Sequence, residues 1–215
     1  MQANRTSIES DNGETMIIEH AGKRPTIDPT ASIALDATIC GDVSIGPNTR
    51  VLYGARIIGE SGGKIQIGSD CIVMENAVIR ATANHPCVIN DACLIGPNAH
   101  VVGAVLDDEV FIATAAAIFH GARLERGVEV RVHATVHLRT HLRAGMVVPI
   151  GWIAVGDPVQ ILPPEKHEEI WAIQKPLNFP DWVYGVPRET PNIMRHISSS
   201  LSKSLEAIRN DIAVG

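Results

Sequence analysis

Nine histidines are the side chains in this sequence best suited to chemistry. An imidazole titrates near neutral pH, so it can act as a general base, and its neutral form is a good metal ligand. His85 falls in a short polar stretch, Ala81-Thr82-Ala83-Asn84-His85-Pro86; His100 stands directly before Val101, and His120 lies further along. His133, His137 and His141 follow one another at a spacing of four, which would align metal ligands on one face of a helix. His167 and His196 carry no such signal. The four cysteines have no metal-binding spacing.

What these groups can do depends on the elements that carry them. Across residues 89–149 an aliphatic residue recurs at every sixth position: Ile89, Ile95 and Val101, then, after one residue is dropped, Leu106, Ile112, Ile118, Leu124, Val130, Val136, Leu142 and Val148. Four places after each comes a small one, as in Ala99, Val110, Ala116, Ala122, Val128, Ala134 and Thr140. A helix repeats at about 3.6 residues and a plain strand at 2, so neither produces this pattern. A short strand followed by a corner does. Three such units make a triangular coil of about 18 residues, and successive coils stack as parallel strands roughly 4.8 Å apart. On this period His133, His137 and His141 occupy three different phases and point in different directions, so they read as surface or turn residues. Cys71 and Cys93 share the small inward position one coil apart, an arrangement that suits two reduced core thiols.

Read in order, residues 1–15 form a polar N-terminal tail and residues 16–162 an all-β solenoid of hexapeptide repeats. Residues 163–215 form a C-terminal helical extension. Met16-Ile17-Ile18-Glu19 is an extended segment, Arg24-Pro25-Thr26-Ile27-Asp28-Pro29 a turn-rich lead-in, and the coils begin at Ile33. Loops at 60–64 and 81–86 interrupt them, and loops on a rigid scaffold are where function usually sits. In the extension one helix starts at Pro164-Glu165 and runs to about Lys175, before Pro176. A second starts at Thr190-Pro191, with Ile193, Ile197, Leu201, Leu205, Ile208 and Ile212 as an apolar stripe. That stripe needs a wall to pack on, either of the same β-helix or of a neighbouring subunit.

A net charge of −6, from 18 basic and 24 acidic residues, argues against nucleic acid or an anionic membrane surface as partner. No apolar stretch reaches the roughly 18 residues that span a bilayer. The polar start without an apolar signal core leads to the expectation of a cytoplasmic protein.

The hexapeptide pattern resembles the left-handed parallel β-helix proteins. Over residues 17–162 the order of turns, the two insertions and the closing segment Ala154-Val155-Gly156-Asp157-Pro158 are similar to the γ-class carbonic anhydrase family. The resemblance implies a left-handed parallel β-helix with C-terminal α-helices, assembled as a homotrimer. In that family three histidines hold zinc at the subunit interface. Their counterparts in Ile95-Gly96-Pro97-Asn98-Ala99-His100-Val101-Val102-Gly103 are Pro97 and Val102, and the remaining one is Arg80. Pro and Val have no ligand atom, and Arg stays cationic. The family's Arg-Gly-Asp turn falls on Ile58-Gly59-Glu60, and its substrate-orienting glutamine on Met74. The resemblance therefore implies no metal and no cofactor at that site, and no CO2 hydration.

It also brings Arg80 and Glu60 to the former metal position, as a structural ion pair or with Arg80 as an anion anchor. His85, His100 and His120 fall in the same neighbourhood, as metal-free catalytic bases, a relocated metal site or structural residues. Glu60, Arg80, His85, His100 and His120 are thus the candidate site residues. Two functional readings follow. One is a redirected trimer that binds a small anionic ligand at the subunit interface, or serves as an assembly scaffold. The other is an acyl-CoA-dependent acyltransferase of the wider hexapeptide group, or a metal-free hydrolase or lyase, using an interfacial histidine. Coenzyme A needs basic groups for its phosphates, whereas this chain is acidic with short loops.

Overall fold

The structure is a computed structural model that describes residues 16–214. The expected tail, residues 1–15, lies outside the described residues. The chain winds as a left-handed β-helix whose short strands stack into three parallel sheets, one per face. Face one carries eight parallel strands: Met16–Glu19, Thr38–Gly41, Arg56–Gly59, Val78–Ala81, His100–Val102, Ala117–Ile118, Thr135–Val136 and Ile153–Val155. Face two runs in seven strands from Thr26–Ile27 to His141–Leu142, and face three in seven from Ser32–Ile33 to Val147–Val148.

Each coil pairs in register with its neighbours, and that register builds the interior. On face one Ile39, Ile57, Ile79, Val101, Ile118, Val136 and Ala154 stand on successive strands, each opposite the next, and all are buried. Corresponding columns of aliphatic side chains on the other two faces complete one continuous core. The small residues sit at the corners, where the chain turns too tightly for a larger side chain: Ala99, Ala116, Ala122 and Ala134 are fully buried. The corners also require left-handed backbone, supplied by Asn48, Asn76 and Asn98 and even by His133, with φ 56°. His133 is therefore a corner residue. His137 lies on face one near Phe119, and His141 pairs with Glu125 on face two, so the three do diverge. Cys71 and Cys93 are buried and free, and their thiols bond the carbonyls of Asn90 and Asp107.

The solenoid starts earlier than Ile33. Met16–Glu19 is already parallel to Thr38–Gly41, and Thr26–Ile27 to Val43–Ile45, so the extended segment and lead-in form the first coil. At the far end Gln160–Leu162 folds back antiparallel on Ile153–Val155 and closes the stack. The extension holds three helices, α1 (His167–Gln174), α2 (Phe179–Tyr184) and α3 (Ile193–Leu205). The proposed start at Pro164 is a 3-10 turn, Pro164–Lys166, leading into α1. Sequence reading missed α2, which is too short for a helical period to register. It also carried the second helix too far. After Leu205 the chain tightens into a 3-10 turn, Glu206–Asn210, and ends in Ile212–Ala213, a strand antiparallel to Met16–Glu19. Ile197 is buried, while Leu205, Ile208 and Ile212 are exposed, because the unpaired edge of the first coil offers backbone hydrogen bonds that end the helix.

Alternation across the strands separates neighbours in energy. Ile89 is 1% exposed and points inward, and Val88 next to it points outward. In urea unfolding Ile89→Ala costs about 2–5 kcal/mol, and Val88→Ala under about 1 kcal/mol. Equal costs would contradict the inward assignment.

Candidate functional site

The loops at the corner between faces one and two converge on a cleft of about 730 Å³ roofed by α2 and α3. Its floor is the outward side of face one. Ile58, Arg80 and Val102 stand opposite one another on adjacent strands there. Glu60 opens a 3-10 turn directly after Gly59, which is opposite Ala81. This offset brings its carboxylate to Arg80, and Arg80 Nη2 donates to Glu60 Oε2. The pair is lopsided: the Glu60 side chain is 11% exposed and that of Arg80 is 40% exposed.

His85, His100 and His120 reach the same region from a loop, a strand and a corner. His85 and His120 meet edge to face with ring centroids 5.0 Å apart. Trp182 of α2 lies on the other side of His85 at 4.3 Å, and its carbonyl oxygen accepts from His85 Nε2 at 3.3 Å. The close approach depends on Gly103 and Gly121, both with positive φ. A Cβ at Gly103 would stand 2.6 Å from the Cβ of His85, and one at Gly121 would stand 2.6 Å from the Trp182 ring.

Burial is the main force on the histidine charges. It lowers the pKa of His100, and the nearby Arg80 cation lowers it further. For His120, burial acts together with His85, Arg80 and His100 to bring the pKa to about 4. Neutral His120 is 8% exposed, and its Nδ1 has no hydrogen-bond partner. His137 is also brought to about 4 by burial.

These arrangements limit metal chemistry. At the three positions where the resemblance would place zinc ligands, Val102 and Pro97 have no donor atom, and the Arg80 guanidinium bonds Glu60. Nor do His85, His100 and His120 bring three donor atoms within 4.8 Å of one another. Among the described residues one set does, and it lies elsewhere on face one. Sequence reasoning named Glu60, Arg80, His85, His100 and His120, all five at or beside this cleft. It missed Trp182, Phe119 and the α3 residues Ile197 and Leu201 that complete the walls. The apolar stripe of α3 was the available signal, but nothing in it specified which wall it would meet.

The fold and the corner cleft define a hexapeptide-repeat β-helix protein. A Bacillus cereus structure described provisionally as an acetyltransferase shares the fold, with a TM-score of 0.50 at 18% identity over 89% of this chain and 98% of that one. No family model matches the sequence. The mitochondrial gamma carbonic anhydrase 1 of Arabidopsis thaliana is 30% identical over 159 residues, 71% of this chain and 55% of that protein. An uncharacterized protein of Dictyostelium discoideum is 24% identical over 99% of this chain and 81% of its own, so that match runs through the helical extension. The chain belongs to the γ-carbonic-anhydrase-like family of left-handed β-helix proteins. It spans about half the length of the Arabidopsis relatives it matches.

Two outcomes follow from this geometry. Arg80→Ala strands the Glu60 carboxylate in a nearly closed setting and costs about 2–3 kcal/mol. Glu60→Ala leaves an arginine able to turn to solvent and costs under about 1 kcal/mol. A double-mutant cycle by urea unfolding reads both, and equal, additive effects would show that the pair is not coupled.

The second concerns pH. His120 and His137 have folded-state pKa values below the unfolded value of about 6.5, so below that pH the unfolded chain takes up protons that the folded chain refuses. Their stabilising contribution is whole above about pH 6.5 and is lost as pH falls toward about 4. Stability measured across that window declines with a steepness that His120→Asn reduces; an unchanged slope contradicts the buried neutral form.

Proposed function

We propose that this chain is a redirected member of its family that binds a small organic anion in the corner cleft, without the family's zinc. The carrying observation is the convergence of three unlike surfaces on one space. Arg80 offers guanidinium donors beyond those used by Glu60, because two-fifths of its side chain is exposed. His120 lines the cleft as a ring whose Nδ1 is buried without a hydrogen-bond partner. Phe119, Trp182, Ile197 and Leu201 form an apolar wall. A cleft of this volume, mainly apolar with a few convergent polar groups, has the build of a small-molecule site. The anionic end goes to Arg80, a polar atom near it to His120, and the apolar part to the aromatic wall.

The working unit in this reading is a homotrimer. Support comes from face three, where the outward residues Ile72, Leu94 and Phe111 stand opposite one another on three adjacent strands. Arg50 continues this row at one end and Glu129 at the other. An apolar ladder between opposite charges fits a head-to-tail contact with a second copy, which closes a ring. Sedimentation of the wild-type chain at micromolar concentration is expected to give a trimer, and Leu94→Glu a smaller species; a monomeric wild type overturns this part.

Thermal unfolding in the presence of aromatic and branched-chain carboxylates, against their neutral amides, tests the ligand class. A carboxylate at a hundredfold its dissociation constant stabilises by about 2.7 kcal/mol. Its amide does less, and the difference vanishes in Arg80→Gln. Stabilisation by acetyl-CoA, with no response to carboxylates, overturns the anion reading in favour of acyl transfer.

A further inference from the structure

The outward column of face one that holds Arg80 continues below the cleft, and at its lower end three residues from distant parts of the chain meet. Cys40 stands two strands below Arg80, through the opposed residues Cys40, Ile58 and Arg80. Ile18 is opposite Cys40 on the next strand, and His20 lies two residues past Ile18 on the same side. Across the antiparallel edge Glu19 is opposite Ile212, so Asp211 arrives beside His20. His20 Nδ1 and Asp211 Oδ1 are 2.6 Å apart. One donor atom from each of His20, Cys40 and Asp211 lies within 4.8 Å of the others. Although they face outward, His20 is 4% exposed and Cys40 7% exposed.

We infer that His20, Cys40 and Asp211 bind one divalent transition-metal ion of the zinc class, which fastens the C-terminal end of the chain to the first coil. An imidazole nitrogen, a thiolate sulfur and a carboxylate oxygen suit zinc or cobalt, whereas calcium and magnesium call for oxygen alone. With metal–ligand bonds of about 2.0–2.3 Å, a tetrahedral ion needs donors roughly 3.2–3.8 Å apart. The three residues reach that spacing by small side-chain shifts around the 2.6 Å contact of His20 with Asp211. Binding converts the Cys40 thiol to thiolate and releases its proton to solvent; a water fills the fourth position. The same three residue types also make up a cysteine hydrolase triad, but such a triad needs an open face for an acyl substrate. None of the three lines the cleft, and two are closed off from solvent.

The placement gives the metal a consequence. Asp211 follows α3 and its 3-10 turn, and Ile197, Leu201 and Leu205 of α3 line the cleft. Without metal the strand Ile212–Ala213 is held by two residue pairings with Met16–Glu19, the bond from Val214 N to Ile17 O and a bond from Arg24 Nη2 to Val214 O. A bound ion adds a stronger tie where His20 and Asp211 already touch, at the exit from α3, and so steadies one wall of the cleft. This inference is independent of which ligand the cleft takes.

Chelator-stripped full-length chain titrated with Co2+ is the test. One equivalent is expected to produce the near-ultraviolet sulfur-to-cobalt charge-transfer band together with the visible absorption of a tetrahedral ion, and Zn2+ should displace both. Cys40→Ser removes the charge-transfer band, and Asp211→Asn and His20→Gln each weaken binding by more than about tenfold. Zn2+ raises the melting temperature of the wild type but not of these variants, whose folding is checked by far-ultraviolet circular dichroism. A cobalt spectrum without thiolate character overturns the site on the wild-type chain alone. Metal bound equally well by folded Cys40→Ser and Asp211→Asn overturns it too, and moves the ion to the other histidines.

Discussion

Parallel stacking of coils in strict register is the constraint on which everything else in this molecule rests. Each coil bonds only to the coil on either side, so a strand that slipped by one residue would turn its aliphatic column out to water and its polar side chains into the core. The interior columns on the three faces make that slip costly at every level of the stack. The outward side inherits the same order. Cys40, Ile58, Arg80 and Val102 are stacked because Ile39, Ile57, Ile79 and Val101 are. A site on this scaffold is a column of outward residues whose spacing the core has already set.

The cleft adds to that column what the solenoid alone lacks, a roof and a closed environment. Glu60 reaches Arg80 because a 3-10 turn leaves the strand one residue past Gly59. Trp182 reaches His85 because Gly103 and Gly121 keep the corner free of side chains. Once covered, His100 and His120 are held neutral by burial and by the Arg80 cation, which suits them to hydrogen bonding more than to carrying charge. The electrostatics of the site therefore follow from the helical extension as much as from the residues beneath it. The extension is itself anchored at both ends of face one, by the antiparallel strands Gln160–Leu162 and Ile212–Ala213.

The chain shares the frame of its family, and in our reading it has changed the chemistry. Where the resemblance would place zinc ligands stand an arginine, a proline and a valine, and the arginine bonds a carboxylate from the neighbouring coil. A guanidinium–carboxylate pair fills such a position without leaving a charge unpaired, and it leaves donors over for a ligand. Among the described residues the set that brings three possible metal donors together lies two strands away, at the edge where the chain's end returns.

The six-residue period was sufficient by itself to determine the solenoid, the inward columns, the small corner residues and the divergence of His133, His137 and His141, because each depends on neighbours at fixed short separations. The family resemblance, not the period, brought Arg80 and Glu60 together. The period gave no account of the first coil, where Ile17 and Ile27 are too few to establish a beat, nor of α2, only six residues long. Nor could it place the end of α3, where the free edge of Met16–Glu19 competes for the backbone and wins from Glu206 onward. His20 and Asp211, 191 residues apart, meet only through that edge pairing. Trp182 meets His85 only after the extension has folded back. Contacts within the repeat are local and therefore written in its spacing; contacts between the repeat and the returning chain depend on which surface is left uncovered, and only the tertiary structure decides that.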